Sequence, residues 1–261
     1  MPTVHEIEEF LYELAPRDLA MEWDNVGLLV GDPDLPIRRA LVALDVTEET
    51  AREAARSGFD LIVAHHPVMN LHWHQRELNT LRPDTRLGKL LIFLVKSGVA
   101  AICMHTNLDA APGGVNDALA QVLGLTAAGP LGDDGIGRVG ELPGELTTEE
   151  LLKLVKDRLQ PNGIRYADAK RPIRRLAVGG GACGDYFRAA VERGCDAFVT
   201  SDVKYDQFLD ARALGLTLVD AGHFPTENVI CPILVRKLRE RFPDLTVELS
   251  HVHREVIQYI K

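Results

Sequence analysis

No C-x-x-C pair occurs in this chain. Its four cysteines, Cys103, Cys183, Cys195 and Cys231, are scattered through 261 residues, a pattern expected of small buried thiols in a reducing cytoplasm. Long apolar runs are missing too. The strongest, LLIFLV at 90–95, is far too short to span a bilayer. There is no excess of basic charge: 29 basic residues face 38 acidic ones, for a net −9, which argues against a large counterion-releasing nucleic-acid surface. No G-x-x-x-x-G-K-[ST] loop is present to cradle a triphosphate. The N-terminus lacks the basic region and cleavage-like site of a signal peptide. Instead Val4, Ile7, Phe10, Leu11 and Leu14 recur at helical spacing behind a Thr3–Glu6 capping box, which predicts an amphipathic helix.

What is present is apolar material for a sizeable core. Hydrophobic residues make up 46% of the chain, enough for one large or two ordinary domains. The chain also repeats itself. Residues 37–66 align without a gap on residues 173–202, at an offset of 136, with nine of thirty positions identical. Both copies read strand, helix, strand. In the first, RALVALDV is a strand, Glu48–Ser57 a helix, Gly58 its C-cap and LIVAH the next strand. The first copy continues with a helix near 85–97, strand AAICMHT and a helix near 113–123. The second continues with a helix near 203–213, strand LTLVDAG and a helix near 225–241.

Alternating strands and helices predict an α/β fold of two similar, intertwined units with mainly parallel sheets, arisen by internal duplication. The Gly- and Asp-rich stretch 129–145 reads as a crossing region. The expected domains are 1–128 plus about 215–261 for one unit and 129–214 for the other.

Three places concentrate chemistry, each at the carboxyl end of a strand, where ligands sit in such folds. Leu61–Ala64 runs into His65-His66-Pro67; a strand break at Pro67 lets adjacent imidazoles face one site. His105-Thr-Asn-Leu-Asp109 follows AAICM, and His223-Phe-Pro-Thr-Glu227 follows LTLVDAG, the same His-x-x-x-carboxylate form at an offset of 118. On a helix such residues share a face. Pro225 suits a first helical position, which would put His223 just before the helix. Any one place alone reads as a turn or cap; the three together predict a metal centre in the cleft between the units. His72 with His74 and His251 with His253 have strand-face spacing without an evident carboxylate partner, and read as surface or interface residues. The run GGGACGD at 179–185 serves either a phosphate or close strand–helix packing.

The blocks EWDNVGLLVGD (22–32), LIVAHHPV (61–68), CMHTNLDAAPGGVNDALAQVLGL (103–125) and FVTSDVKYDQFLDARALGLTLVDAGHFPTE (198–227) resemble the Nif-three-like proteins, the GTP cyclohydrolase I type 2 homologues. They stand in family order over almost the whole chain. The resemblance implies a dinuclear metal site of His65, His66, Asp109, His223 and Glu227, and a ring-like homohexamer. Ser201-Asp202 departs from the Gly-acidic pair of many members. Three imidazoles and two carboxylates suit two divalent transition-metal ions drawn from Zn, Fe, Mn, Co or Ni, with one carboxylate, here Glu227, bridging. His105 is the candidate catalytic proton carrier. Asp24 and Asn25 either orient a substrate or form a plain turn. The expected function is a metal-dependent hydrolase acting on a small molecule, with a purine nucleotide such as GTP as the class the resemblance implies. The alternative is a non-catalytic metal or cofactor carrier or adaptor. Neither a nucleic-acid nor a membrane partner is expected, and the expected location is the cytoplasm.

Overall fold

The computed structural model describes residues 1–70 and 80–260. His72 and His74 therefore lie outside the described residues. The chain folds as two compact units: Met1–Ala111 with Cys231–His253, and Pro112–Ile230 with Arg254–Lys261. The changeovers fall at Ala111/Pro112 and Ile230/Cys231, where the sequence placed them near 128 and 215.

The first unit runs α1 (Val4–Leu14), β1 (Gly27–Val30), β2 (Arg39–Ala43), α2 (Glu48–Ser57), β3 (Leu61–Ala64), α3 (Arg86–Ser97), β4 (Ala100–Cys103) and α4 (Thr106–Ala110). The second continues with α5 (Val115–Val122), β5 (Thr126–Pro130), β6 (Arg138–Leu146), α6 (Thr148–Leu159), β7 (Arg165–Ala167), β8 (Ile173–Val178), α7 (Phe187–Glu192), β9 (Ala197–Thr200), α8 (Tyr205–Ala213), β10 (Thr217–Asp220) and α9 (His223–Glu227). The chain then returns to the first unit with α10 (Cys231–Arg241) and β11 (Thr246–Leu249).

The sheet orders make the duplication visible. The first sheet is β1-β4-β3-β2-β11, with β4, β3, β2 and β11 parallel and β1 antiparallel at the edge. The second is β5-β6-β8-β9-β10-β7, with β8, β9 and β10 parallel. β7 lies antiparallel against β10 as β1 lies against β4. The registers agree as well: Ala40 faces Leu61 and, 136 residues on, Leu176 faces Ala197.

The identities within the repeat have physical reasons. Gly58 and Gly194 both take φ +69° after a helix, a left-handed conformation that L residues adopt at a penalty. Asp60 accepts the amides of Arg38 and Arg39, and Asp196 those of Arg174 and Arg175, so each carboxylate closes the start of its parallel pair. The short strands β3 and β9 are buried throughout, consistent with cover on both faces.

Stretch 129–145 is not a crossing region. Most of it is antiparallel structure: β6 pairs with β5 on one side and β8 on the other. Gly135 and Gly137, both at positive φ, turn the loop between β5 and β6. The buried Arg138 guanidinium then ties β6 to α5, bonding both oxygens of Asp117 at 2.6 and 3.0 Å and the carbonyls of Gly135 and Gly137.

The helix expected near 225–241 is two helices with a short turn at Asn228–Ile230. Pro232 has no amide to continue a helix through that point. The equivalent helices α5 and α10 are exchanged. Leu119 of α5 and Leu123, the residue that caps it, join the core of the second sheet with Leu142, Leu151 and Leu176. Leu234, Val235 and Leu238 of α10 are buried, and that helix lies on β11 and β2 of the first. All four cysteines are buried. No helix among the described residues is long and apolar enough to cross a membrane.

Candidate metal centre

The chain after β3 shows why a buried strand ends on two histidines and a proline. The amides of His65 and His66 both donate to the carbonyl of Leu44, at 3.1 and 2.9 Å. The pleat therefore collapses at this step, and Pro67 has no amide with which to restore it. Adjacent imidazoles that would point to opposite faces of a regular strand come to lie with ring centroids 4.9 Å apart.

Each ring is fixed through Nδ1. His65, fully buried, donates from Nδ1 to the carbonyl of Met104 at 2.8 Å, and its Nε2 lies 3.6 Å from Asp109 Oδ1. His66 donates from Nδ1 to Asp45 Oδ1 at 2.7 Å. His105 donates from Nδ1 to Asp24, whose two oxygens are each at 2.9 Å. All three acceptors are oxygens without protons, so in each neutral ring Nε2 is the nitrogen left with a lone pair. One ligand atom from each of His65, His66 and His105 lies within 4.8 Å of the others.

Asp24 and Asn25 hold the turn on which this depends. Besides His105, Asp24 accepts the Thr106 amide at 3.0 Å and the Thr106 hydroxyl at 2.5 Å. Asn25 donates to the Met69 carbonyl at 2.8 Å. Burial of Asp24 would raise its pKa, but the hydrogen bonds and charge of His105 and the bonds from Thr106 prevail and bring it down to about 2. Asn107 anchors α4 by donating to the Ala15 carbonyl, and Asp109 rides one turn after His105.

Asp45 and His253 escaped the sequence reading. His253 is not a surface residue: its Nε2 donates to Asp45 Oδ2 at 2.8 Å, while the other Asp45 oxygen holds His66. Burial opposes ionisation of Asp45, yet the bonds from His253 and His66 hold its carboxyl far below the usual range. The last turn of the first unit is thereby latched to the imidazole pair. Only position in the fold joins these residues, which stand 208 apart in sequence.

In the second unit His223 opens α9 rather than preceding it, because Gly222 at φ +88° is the N-cap and Pro225 stands inside the first turn. His223 Nε2 lies 3.0 Å from Glu227 Oε2, and His223 Nδ1 lies 2.6 Å from Asp202 Oδ2. Burial would lower the pKa of His223, but the Glu227 charge and the bonds to Asp202 and Glu227 raise it to about 11.

The glycine run is shaped around these side chains. A Cβ at Gly181 would sit 1.9 Å from Glu227 Oε1 and 3.0 Å from His223 Nε2, and Gly181 has φ +63°. The amides of Gly179, Gly180 and Gly181 are taken by Val199 O, Asn116 Oδ1 and Thr226 Oγ1, so packing rather than phosphate binding accounts for them. Gly181→Ala is expected to destabilise the protein by about 2 kcal/mol or more, from left-handed strain and the displaced carboxylate. Urea unfolding checks this.

The first unit thus brings together His65, His66, His105 and Asp109, and the second His223 and Glu227. Imidazoles held through Nδ1 and set beside carboxylates are donors suited to divalent transition ions. The sequence offered one signal for Asp202 that went unused: at the offset of 136, Ser201-Asp202 stands opposite His65-His66.

A family profile described as Duf34/NIF3 (NGG1p interacting factor 3) matches residues 2–258. A Clostridium perfringens protein named GTP cyclohydrolase 1 type 2 homolog is 36% identical over 98% of this chain and 99% of its own length. A Streptomyces coelicolor protein of the same name is 38% identical over 92% of this chain and 87% of its own. Among solved structures, a Staphylococcus aureus hypothetical protein superposes with a TM-score of 0.89 at 27% identity, covering 99% of both chains. By a profile match over nearly its whole length and by relatives similar from end to end, the chain belongs to the Duf34/NIF3 family.

Proposed function

We propose that His65, His66, Asp109, His223 and Glu227 are the ligands of a pair of divalent ions from Zn, Fe, Mn, Co or Ni, with Glu227 as bridge, and that the protein is a metal-dependent hydrolase. The supporting observation is the set of three imidazoles in the first unit, each held through Nδ1 and gathered within 4.8 Å by their ligand atoms. When bound, two such ions lower the pKa of a water and polarise the bond under attack. The chain's own contribution is positional. Asp24 fixes the tautomer of His105, so that its Nε2 can take a proton from the nucleophile and return it to the leaving group. Met104 and Asp45 keep His65 and His66 from rotating away.

The relatives' name, GTP cyclohydrolase 1 type 2 homolog, supports a purine nucleotide as the substrate class. One water attacking C8 of GTP would open the imidazole ring to a formamide, and a second water would hydrolyse that formamide and release formate. Protein purified without chelator and reloaded with each metal tests this by formate release. Metal-dependent turnover supports the hydrolase; stoichiometric capture without turnover supports the carrier. The working form we read is a symmetric homohexamer in the cytoplasm. Light scattering at several concentrations is expected to give six times the mass of the chain, and a strictly monomeric mass would refute the assembly.

Metal uptake has a proton signature. His223, with its pKa raised to about 11, is protonated at pH 7 in the metal-free protein and must be neutral to ligate. Loading at pH 7 is therefore expected to release at least about one proton per chain. Titration calorimetry in two buffers of different ionisation enthalpy measures it.

A further inference from the structure

We infer that Asp202 is a positioning residue for His223, holding its ring so that Nε2 is the nitrogen presented to metal. The inference rests on the proposed metal centre and adds a residue to it. Asp202 Oδ2 lies 2.6 Å from His223 Nδ1, which commits that nitrogen to donation and leaves Nε2 facing Glu227 at 3.0 Å.

The backbone is built to put the carboxylate there. Asp202 has φ +52°, a left-handed conformation uncommon for a residue with a side chain. Both of its neighbours are anchored. Buried Ser201 gives its amide and its hydroxyl to the carbonyl of Gly181, at 3.1 and 2.6 Å. On the other side the amide of Val203 donates to buried Asp220 at 3.1 Å. Asp202 is the residue that must turn between two fixed points, and the turn delivers its side chain to His223. An incidental surface ion pair needs no such backbone.

Duplication supplies an independent line. At the offset of 136, Ser201 and Asp202 occupy the places of His65 and His66. In the first unit these places hold two imidazoles, one of them fixed by the carboxylate of Asp45. In the second unit the serine anchors the turn, and the acid performs on His223 the task that Asp45 performs on His66. The two units have divided the work of ligation and support differently between equivalent positions.

Four proteins decide the matter: wild type, Asp202→Ala, Asp202→Asn and Asp202→Gly, compared by Zn affinity in chelator competition and by NMR of histidine ring protons. Asp202→Ala is expected to bind Zn about 10- to 100-fold more weakly. Asp202→Gly relieves the left-handed strain but offers no acceptor, so it should be as weak as Asp202→Ala. Asn tolerates the left-handed backbone and keeps an acceptor oxygen, so Asp202→Asn should lose less. The metal-free wild type should show a slowly exchanging, downfield His223 Nδ1 proton that Ala and Gly abolish. If folded Ala and Gly variants bind Zn within about twofold of wild type, the effect falls short of that range and the positioning role is wrong while the metal centre stands. The role also fails if the Nδ1 proton is absent from wild type. A wild type that binds no Zn overturns the metal centre itself, and the role with it.

Discussion

Replacing Glu227 by Gln is expected to empty both metal positions together, with at least about a 100-fold loss of affinity at each. The side chain is buried, and the glycine loop is moulded to it so closely that a Cβ at Gly181 would collide with Oε1. Gln preserves that shape and removes the charge that would offset the two dications of the proposed centre. Asp109→Asn should behave differently, because in the proposed centre Asp109 would serve one ion; about half of the metal should stay. Stability should follow occupancy. Ions bound only by the folded chain stabilise it by mass action, about 2.7 kcal/mol at a hundredfold excess over Kd. Acid should strip the wild type, since ligand histidines must be neutral and carboxylates ionised. Metal analysis of wild type and both variants at matched pH, after dialysis against a weak chelator, gives the answer. Two ions retained by Glu227→Gln at unchanged affinity would sink the bridging role.

Asp24→Asn should be the most damaging change that touches no proposed ligand. The Asp24 side chain is inaccessible to solvent and accepts from His105 Nδ1 and from the amide and hydroxyl of Thr106. An amide in its place turns a donor toward one of these groups, and the His105 tautomer that leaves Nε2 as the acceptor is lost. The pKa of Asp24 is lowered from 3.8 to about 2, a shift equivalent to about 2 kcal/mol. Because the folded value is the lower one, this stabilisation is complete above the unfolded value near 4 and disappears as pH falls through about 2. The variant should therefore trail wild type by about 2 kcal/mol at pH 7, and the gap should close in strong acid. Denaturant unfolding of metal-free protein at pH 7 and pH 2.5 measures it; an equal deficit at both pH values would show that charge is not the reason.

Much of this could be read from residues alone, because local rules act over short distances. The α2 helix from Glu48 to Ser57 ends at a left-handed Gly58 as its sequence demands, and the same signal recurs at Gly194. His65, His105 and His223 stand just beyond strand ends, where periodicity put them. The hidden part depends on contacts between distant segments. Nothing local marks His253 as the partner of Asp45. Helices α5 and α10 are amphipathic, but an apolar stripe does not say which sheet it will cover, so the unit boundaries were displaced. The Gly and Pro residues within β6 obscured the alternation of a nine-residue strand.

The exchange of α5 and α10 has a consequence for the chain as it leaves the ribosome. Once Cys103 has emerged, four strands of the first sheet exist, but β2 lacks the neighbour β11, which arrives only at Thr246–Leu249. Until then β2 is an open edge, and the apolar surface that α10 will cover is bare. The first unit therefore cannot finish until Thr246–Leu249 has been made. Its open edge must wait for Pro112–Ile230 of the second unit to be translated, and a ribosome that stalls before residue 231 releases an incomplete sheet prone to pairing with another chain.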